Sequence, residues 1–164
     1  MKQNKLRYLI LAALMSALCV VGSFVKVPST VGSAALDSAP AFLSASFLPP
    51  IYTMAVGAIG HLATALTSGF PLGPLHIIVA LEMAIIVWIF AVMHKKGMYF
   101  LKWVVALVLN GIVSPLPFVF VLGWQFYVGA LPGIFVATVI NLIIVFVLMP
   151  IISKIAVQMK VKNV

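Results

Sequence analysis

The sequence predicts an all-α integral membrane protein: a six-transmembrane-helix bundle with both termini cytoplasmic and a short second helix. Three observations carry that expectation. Hydrophobic residues make up 65% of the 164 residues and charged residues 7%, whereas about 25% of a soluble domain is charged. The apolar runs recur along the whole chain, so the first is not expected to be a cleaved signal peptide, and no targeting motif stands out. The basic residues collect at alternate breaks between those runs.

A helix crosses the bilayer core of about 30 Å with about 20 residues. The first apolar run, 6–23, ends before "KVPSTVGS". The second, 38–48, is headed by Asp37 and carries Pro40 in its first turn, where the missing N–H costs little. Asp37 is expected to be its N-cap, at the rim of the bundle. "PP" at 49–50 separates it from the third helix, 50–68, and "GFPLGP" at 69–74 separates that from the fourth, 75–93. After "HKKG" at 94–97 comes a fifth helix over 98–122. Its "SPLP" at 114–117 either kinks it or ends it near Val113, because an interior proline breaks the backbone ladder. "GWQFYVGALPG" at 123–133 is expected to be a connecting loop before the sixth helix, 131–152. No linker, low-complexity tract or internal repeat divides the chain, which reads as one membrane domain over 1–164. The lone cysteine, Cys19, lies within an apolar run, so no disulfide framework exists.

With six spans, Lys2, Lys5, Arg7, Lys95, Lys96, Lys102, Lys154, Lys160 and Lys162 fall on one side and Lys26 alone on the other. That asymmetry places both termini in the cytoplasm. The net charge of +8 is thereby an orientation signal, and no nucleic-acid partner is needed to explain it.

Ionisable groups within spans are costly and face a bundle interior or a cavity. Glu82 lies six residues after His76, roughly 9 Å from the outer end of its helix, and His61 lies at similar depth on helix three. A Glu82–His61 contact fits those depths, either as a ligand or proton site or as a structural polar pair. His61 also continues the stripe Thr53, Gly57, His61, Ala65, whose small members allow close helix approach. Asn141 sits roughly 15 Å into helix six beside Ala137 and Thr138. It is either a pocket floor or an interhelical hydrogen bond, and Asn110 poses the same choice. Lys26 and His76 lie in outer loops. Trp124, Phe126 and Tyr127, with Phe118 and Phe120 before them, read as an interfacial aromatic belt, or with Gln125 as a loop covering a ligand. The inner half is read as plain hydrocarbon. Polarity confined to the outer half suits a substrate cup sealed below.

Several chemistries lack their motifs. There is no G-x-x-x-x-G-K-[ST] phosphate loop, no H-E-x-x-H, no Cys/His ligand cluster and no G-x-S-x-G elbow. The only acids, Asp37 and Glu82, lie on different helices. No catalytic residue, metal or cofactor is expected.

The whole chain resembles the substrate-binding S components of energy-coupling factor (ECF) vitamin transporters. The resemblance rests on size and topology, on Ala13-Leu-Met-Ser-Ala17 as an A-x-x-x-A motif in helix one, and on "ALDSAPAFLSASFLPPIYTMAVGAIGHLATALTSGFPLG". One departure is "FLPP" at 47–50, where many members carry an "FGP" turn. The resemblance implies capture of a vitamin on the extracellular side of a bacterial cell membrane. It implies docking through Ala13 and Ala17 on a transmembrane T component driven by two ATPase subunits, and toppling in the lipid bilayer to release the substrate. Loops one and three would close over the substrate. "ALDSAP" and "GHLATALTSGFPLGPLH" look most like the subgroup assigned to α-ribazole, a nucleoside of cobalamin salvage. The expected substrate contacts are Lys26, Asp37, His61, His76, Glu82, Asn110, Trp124, Gln125, Tyr127 and Asn141. The same chemistry suits riboflavin, a thiamine precursor or queuosine. A proton-coupled secondary transporter using Glu82 and His61 is the alternative from a different class, and a non-transporting assembly subunit is a third.

Overall fold

The computed structural model describes residues 2–28 and 33–158; Lys160 and Lys162, counted in the charge asymmetry, lie outside the described residues. Among the described residues the regular structure is helical apart from one short ribbon. It runs α1 (Lys2–Ser23), β1 (Lys26–Pro28), β2 (Ser33–Ala35), α2 (Ser38–Ser44), α3 (Pro50–Thr67), α4 (His76–Lys95), α5 (Leu101–Val108) and α6 (Val119–Gln158). Among the described residues, three stretches are long and apolar enough to cross a membrane: Asn4–Ser23, Gly73–Lys95 and Leu101–Gln158.

The expected loop after α1 contains an antiparallel ribbon, with Lys26 opposite Ala35 and Val27 opposite Ala34. The short second helix is shorter than the expected 38–48. Turns replace it after Ser44, and nearly all of α2 is buried. At seven residues it rises only about 10 Å, so it is a buried plug too short to span the bilayer core by itself. It packs on α1, α3 and α6, and Phe42, wholly buried, meets Phe90 of α4 edge-on at 5.0 Å.

Pro49 in extended conformation and Pro50 at the first helical position start α3, as a residue lacking an N–H is suited to do. It ends where Gly69 turns left-handed and the Phe70 N–H returns to the Ala65 carbonyl at 2.8 Å, a Schellman closure. Between these ends the small stripe works as packing. A Cβ on Gly57 would stand 2.8 Å from the Met83 carbonyl of α4, and Thr53 and Ala65 are buried.

The fifth helix ends near Val113, one of the two outcomes expected. Pro115 and Pro117 cannot continue its ladder, and its last turn, Leu109–Val113, widens into a π-helical turn closed by Ser114 N–H to Leu109 carbonyl at 2.8 Å.

The expected 123–133 loop is instead helix. The chain breaks only at Gly123 (φ 82°, ψ 170°), a conformation that L side chains resist. It is then helical from 124 to 158 with Pro132 and Pro150 inside. Membrane helices tolerate proline and glycine because neighbouring groups satisfy the freed carbonyls. The resulting helix is roughly 50 Å long, more than one bilayer core.

The expectation of a purely apolar inner half also fails. Lys102, counted among the basic residues that flank the turn between helices four and five, is 3% exposed. Its Nζ lies 2.7 Å from His94 Nδ1 and 3.5 Å from Met149 Sδ, and over the rings of Phe90 and Trp103 at 5.4 and 4.9 Å. Soft acceptors and π faces hold this ammonium at the lysine-bearing end of the bundle.

Candidate functional site

At the opposite end, beneath the β1–β2 ribbon, lies a cavity of about 530 Å³, within the range of small-molecule sites. Each wall follows a helical stripe. From α3 and its C-cap come His61, Thr64, Ala65 and Ser68; from α4, His76, Val79 and Met83; from α6, Phe126, Ala130, Ile134, Ala137, Thr138 and Asn141. The spacings of three and four put each set on one face of its helix. The π turn and the Pro115 stop contribute Asn110, Ser114 and Phe118, and the ribbon contributes Lys26, Ala34 and Ala35.

Of the expected contacts, Lys26, Asp37, His61, His76, Asn110 and Asn141 meet around this cavity, and Glu82, Trp124, Gln125 and Tyr127 do not line it. The expected Glu82–His61 pair is not formed. Ser114 Oγ donates to Glu82 Oε2 at 3.2 Å, while His61 Nε2 lies 3.1 Å from His76 Nδ1. Depth along each helix was consistent with contact, but direction around the axis separates them. His76, expected in a loop, begins α4 and is buried.

The histidine pair has a defined polarity. The Leu72 N–H donates to His76 Nε2 at 3.3 Å, so that nitrogen is bare. In the neutral ring Nδ1 then carries the proton and donates to His61 Nε2, leaving His61 with its own N–H at Nδ1. The 68–75 turn thereby sets the tautomer of a cavity-lining histidine.

Asn141, 1% exposed, uses its whole amide. Oδ1 accepts the Ala39 N–H at 2.8 Å, and Nδ2 donates to the Ala35 and Ala137 carbonyls at 3.2 and 2.9 Å. Asn110 Nδ2 donates to Thr138 Oγ1 at 2.9 Å. Both asparagines therefore make interhelical bonds at the cavity wall, so the two readings left open for each coexist.

Asp37 occupies the N-cap position of α2 but makes no side-chain cap bond there, because Asn141 takes the Ala39 N–H. Burial pushes the Asp37 carboxyl up to about 6, while the Thr64 hydroxyl, its own backbone and Lys26 pull the other way. The Thr64 contact falls short of a well-formed hydrogen bond, since Thr64 Oγ1 has no partner meeting that geometry. Lys26 Nζ donates to Ser68 Oγ at 2.8 Å.

Trp124, Gln125 and Tyr127 stand on the first turns of the helix after Gly123. Trp124 is 61% exposed and meets Tyr127 at 5.7 Å, and Tyr127 Oη donates to the Ile112 carbonyl at 3.3 Å. The cavity takes Phe126 and Phe118 instead, 6.1 Å apart. The Phe126–Ala130–Ile134–Thr138 periodicity signals Phe126 once 123–133 is read as helix. Thr64 and Ser68 follow from His61 by helical spacing in the same way.

On α1, Ala13 and Ala17 are exposed while Ala12 and Ser16, one residue before each, are buried. Small residues thus face outward next to a packed face.

The model of the family described as ECF transporter, substrate-specific component, matches residues 7–164. The chain belongs to that family. It is a membrane protein and a substrate-specific subunit of an ECF transporter, not itself an enzyme. No curated protein and no solved structure matches it.

Proposed function

We propose that this protein is the S component that captures a vitamin precursor, α-ribazole for cobalamin salvage, on the extracellular side of a bacterial plasma membrane. It then docks on a T component with two ATPases for delivery. The chain acts as one domain over 1–164, arranged as six membrane segments with both termini cytoplasmic. The observation that carries this reading is the cavity of about 530 Å³, with an aromatic wall of Phe118 and Phe126 facing amide and imidazole groups. A flat base attached to a ribose needs both kinds of surface. Lys26, Asp37, His61, His76, Asn110 and Asn141 are its polar contacts, and Ala13 and Ala17 its docking surface.

The test is calorimetry on the purified chain without partners, using α-ribazole, riboflavin, thiamine and queuosine. Saturable binding of α-ribazole is expected, and absence of binding by all four sinks the proposal. A proton-coupled carrier built on Glu82 and His61 is less well supported, because those groups bond to Ser114 and His76 instead of each other.

A further inference from the structure

Most polar groups around the cavity are already matched by the protein. Asn141 spends its amide on Ala39, Ala35 and Ala137, Asn110 is bonded to Thr138, and His61 to His76. The Asp37–Thr64 edge is different. Lys26 and Asp37 are the charged side chains lining the cavity, yet Lys26 Nζ goes to Ser68. Asp37 has no ion-pair partner among the described residues and makes no cap bond. Beside it, Thr64 is 6% exposed, lines the cavity and has no well-formed hydrogen bond. A carboxylate offers about four acceptor sites, and in the half-buried setting of Asp37, beside the buried and unmatched Thr64 hydroxyl, underused acceptors are costly unless something meets them.

We propose that the ligand presents a basic or cationic ring nitrogen to the Asp37–Thr64 edge while its flat face lies against Phe118 and Phe126. This rests on the substrate-binding reading above and narrows it. A cationic nitrogen pairs with the ionised carboxylate. A neutral base instead shares the proton that the buried carboxyl retains up to about pH 6, and charge-assisted bonds of either kind are the stronger sort. The titratable or charged groups facing Asp37 are Lys26 from β1 and the Cys19 thiol from α1, with His61 one turn from Thr64 on α3. None of them supplies a full counter-charge at contact distance. Benzimidazole nucleosides, aminopyrimidines and amine-bearing bases fit, and a neutral flavin, which has no basic nitrogen near pH 7, does not.

The experiment is calorimetry on the full purified chain with α-ribazole, thiamine and riboflavin at pH 7, repeated with Asp37→Asn and Thr64→Val. Melting curves establish that each variant folds. The expected result is binding of α-ribazole or thiamine but not riboflavin, weakened about tenfold or more by Asp37→Asn and several-fold by Thr64→Val. Riboflavin binding as tightly as the bases, or an Asp37→Asn affinity within about twofold of the parent, overturns the inference while leaving a substrate-binding subunit in place. No binding by any compound removes the substrate-binding reading itself, and this inference with it. Should the variants not fold, the parent protein alone decides. The affinity of the cation thiamine must then fall as pH drops below about 6, where Asp37 takes up its proton, and that of the neutral base α-ribazole must fall as pH rises above it, where Asp37 loses that proton; a flat profile for whichever compound binds rejects the Asp37 contact.

Discussion

Asn141 Oδ1 accepts the Ala39 N–H at 2.8 Å across 102 positions of sequence, so α6, not the adjacent Asp37, caps the N-terminus of α2. The same amide holds the Ala35 carbonyl at the end of the ribbon. One side chain therefore ties the buried plug and the cavity roof to the longest helix. Replacing it with Asn141→Leu leaves a buried N–H and a carbonyl unmet, at a cost of about 2 kcal/mol or more. The melting temperature in detergent should fall clearly, whereas Asp37→Asn should not lower it at pH 7.5. Equal melting of Asn141→Leu and the parent contradicts the cap.

Glu82 invites the opposite expectation. It accepts from Ser114 and does not line the cavity, and Gln at this position keeps the same acceptor. Glu82→Gln is therefore expected to leave substrate affinity within about twofold and to leave uptake intact when partner subunits are present. Abolished uptake with an uncoupler-sensitive parent would revive the proton-coupled carrier.

Much of this was legible from hydropathy and the rest was not, for identifiable reasons. Proline and lysine breaks located α1, α3 and α4 to within a few residues, because those breaks act through backbone chemistry that is local. The 123–133 segment was misassigned because Gly123, Gly129, Pro132 and Gly133 spell a loop in water but are accommodated within a membrane helix. That error hid Phe126 and made Trp124, Gln125 and Tyr127 look like a cover. Depth placed His61 and Glu82 at one level, yet hydrophobicity on every side of a membrane helix leaves no moment to fix its rotation. Lys102 counts by its charge among the residues flanking the turn before helix five, and only the fold shows its stem running inward among Phe90, Trp103 and Met149.

The contact between α3 and α4 depends on Gly57. Its absent Cβ would meet backbone, the Met83 carbonyl at 2.8 Å, with the Val87 side chain at 3.2 Å. Backbone cannot rotate away, so Gly57→Ala has to push the helices apart, which is expected to cost about 1–3 kcal/mol. A lowered melting temperature with weakened substrate binding is the expected outcome, since His61 and Met83 stand on the displaced faces. An unchanged melting temperature would mean that the two helices pack less closely than described.

Ala13 and Ala17 lie exposed on α1, so a larger side chain at either position meets no protein atom that packing requires. Ala13→Leu with Ala17→Leu is expected to leave the isolated chain folded and binding its substrate. Uptake in cells supplying the T component and ATPases should be lost, because close helix approach needs small residues. Parallel loss of binding and uptake would make α1 a structural helix rather than a docking face.

Asp37 makes stability depend on pH in a direction opposite to that of a salt-bridged acid. Burial raises its carboxyl from the usual 3.8 to about 6, so across that interval the folded, empty protein holds a proton that the unfolded chain has released. By linkage, the stability contributed by this group then falls as pH rises through the interval, and it is lowest above about pH 6, where a charge must be kept in a partly desolvated site. Melting temperatures of the parent and Asp37→Asn, each at pH 7.5 and pH 5, isolate the effect, because Glu82 titrates in both proteins. The parent is expected to gain relative to the variant on going to pH 5. A constant difference between them would mean that the Asp37 carboxyl is solvated as an ordinary surface acid, and that the cavity edge it forms is open to water.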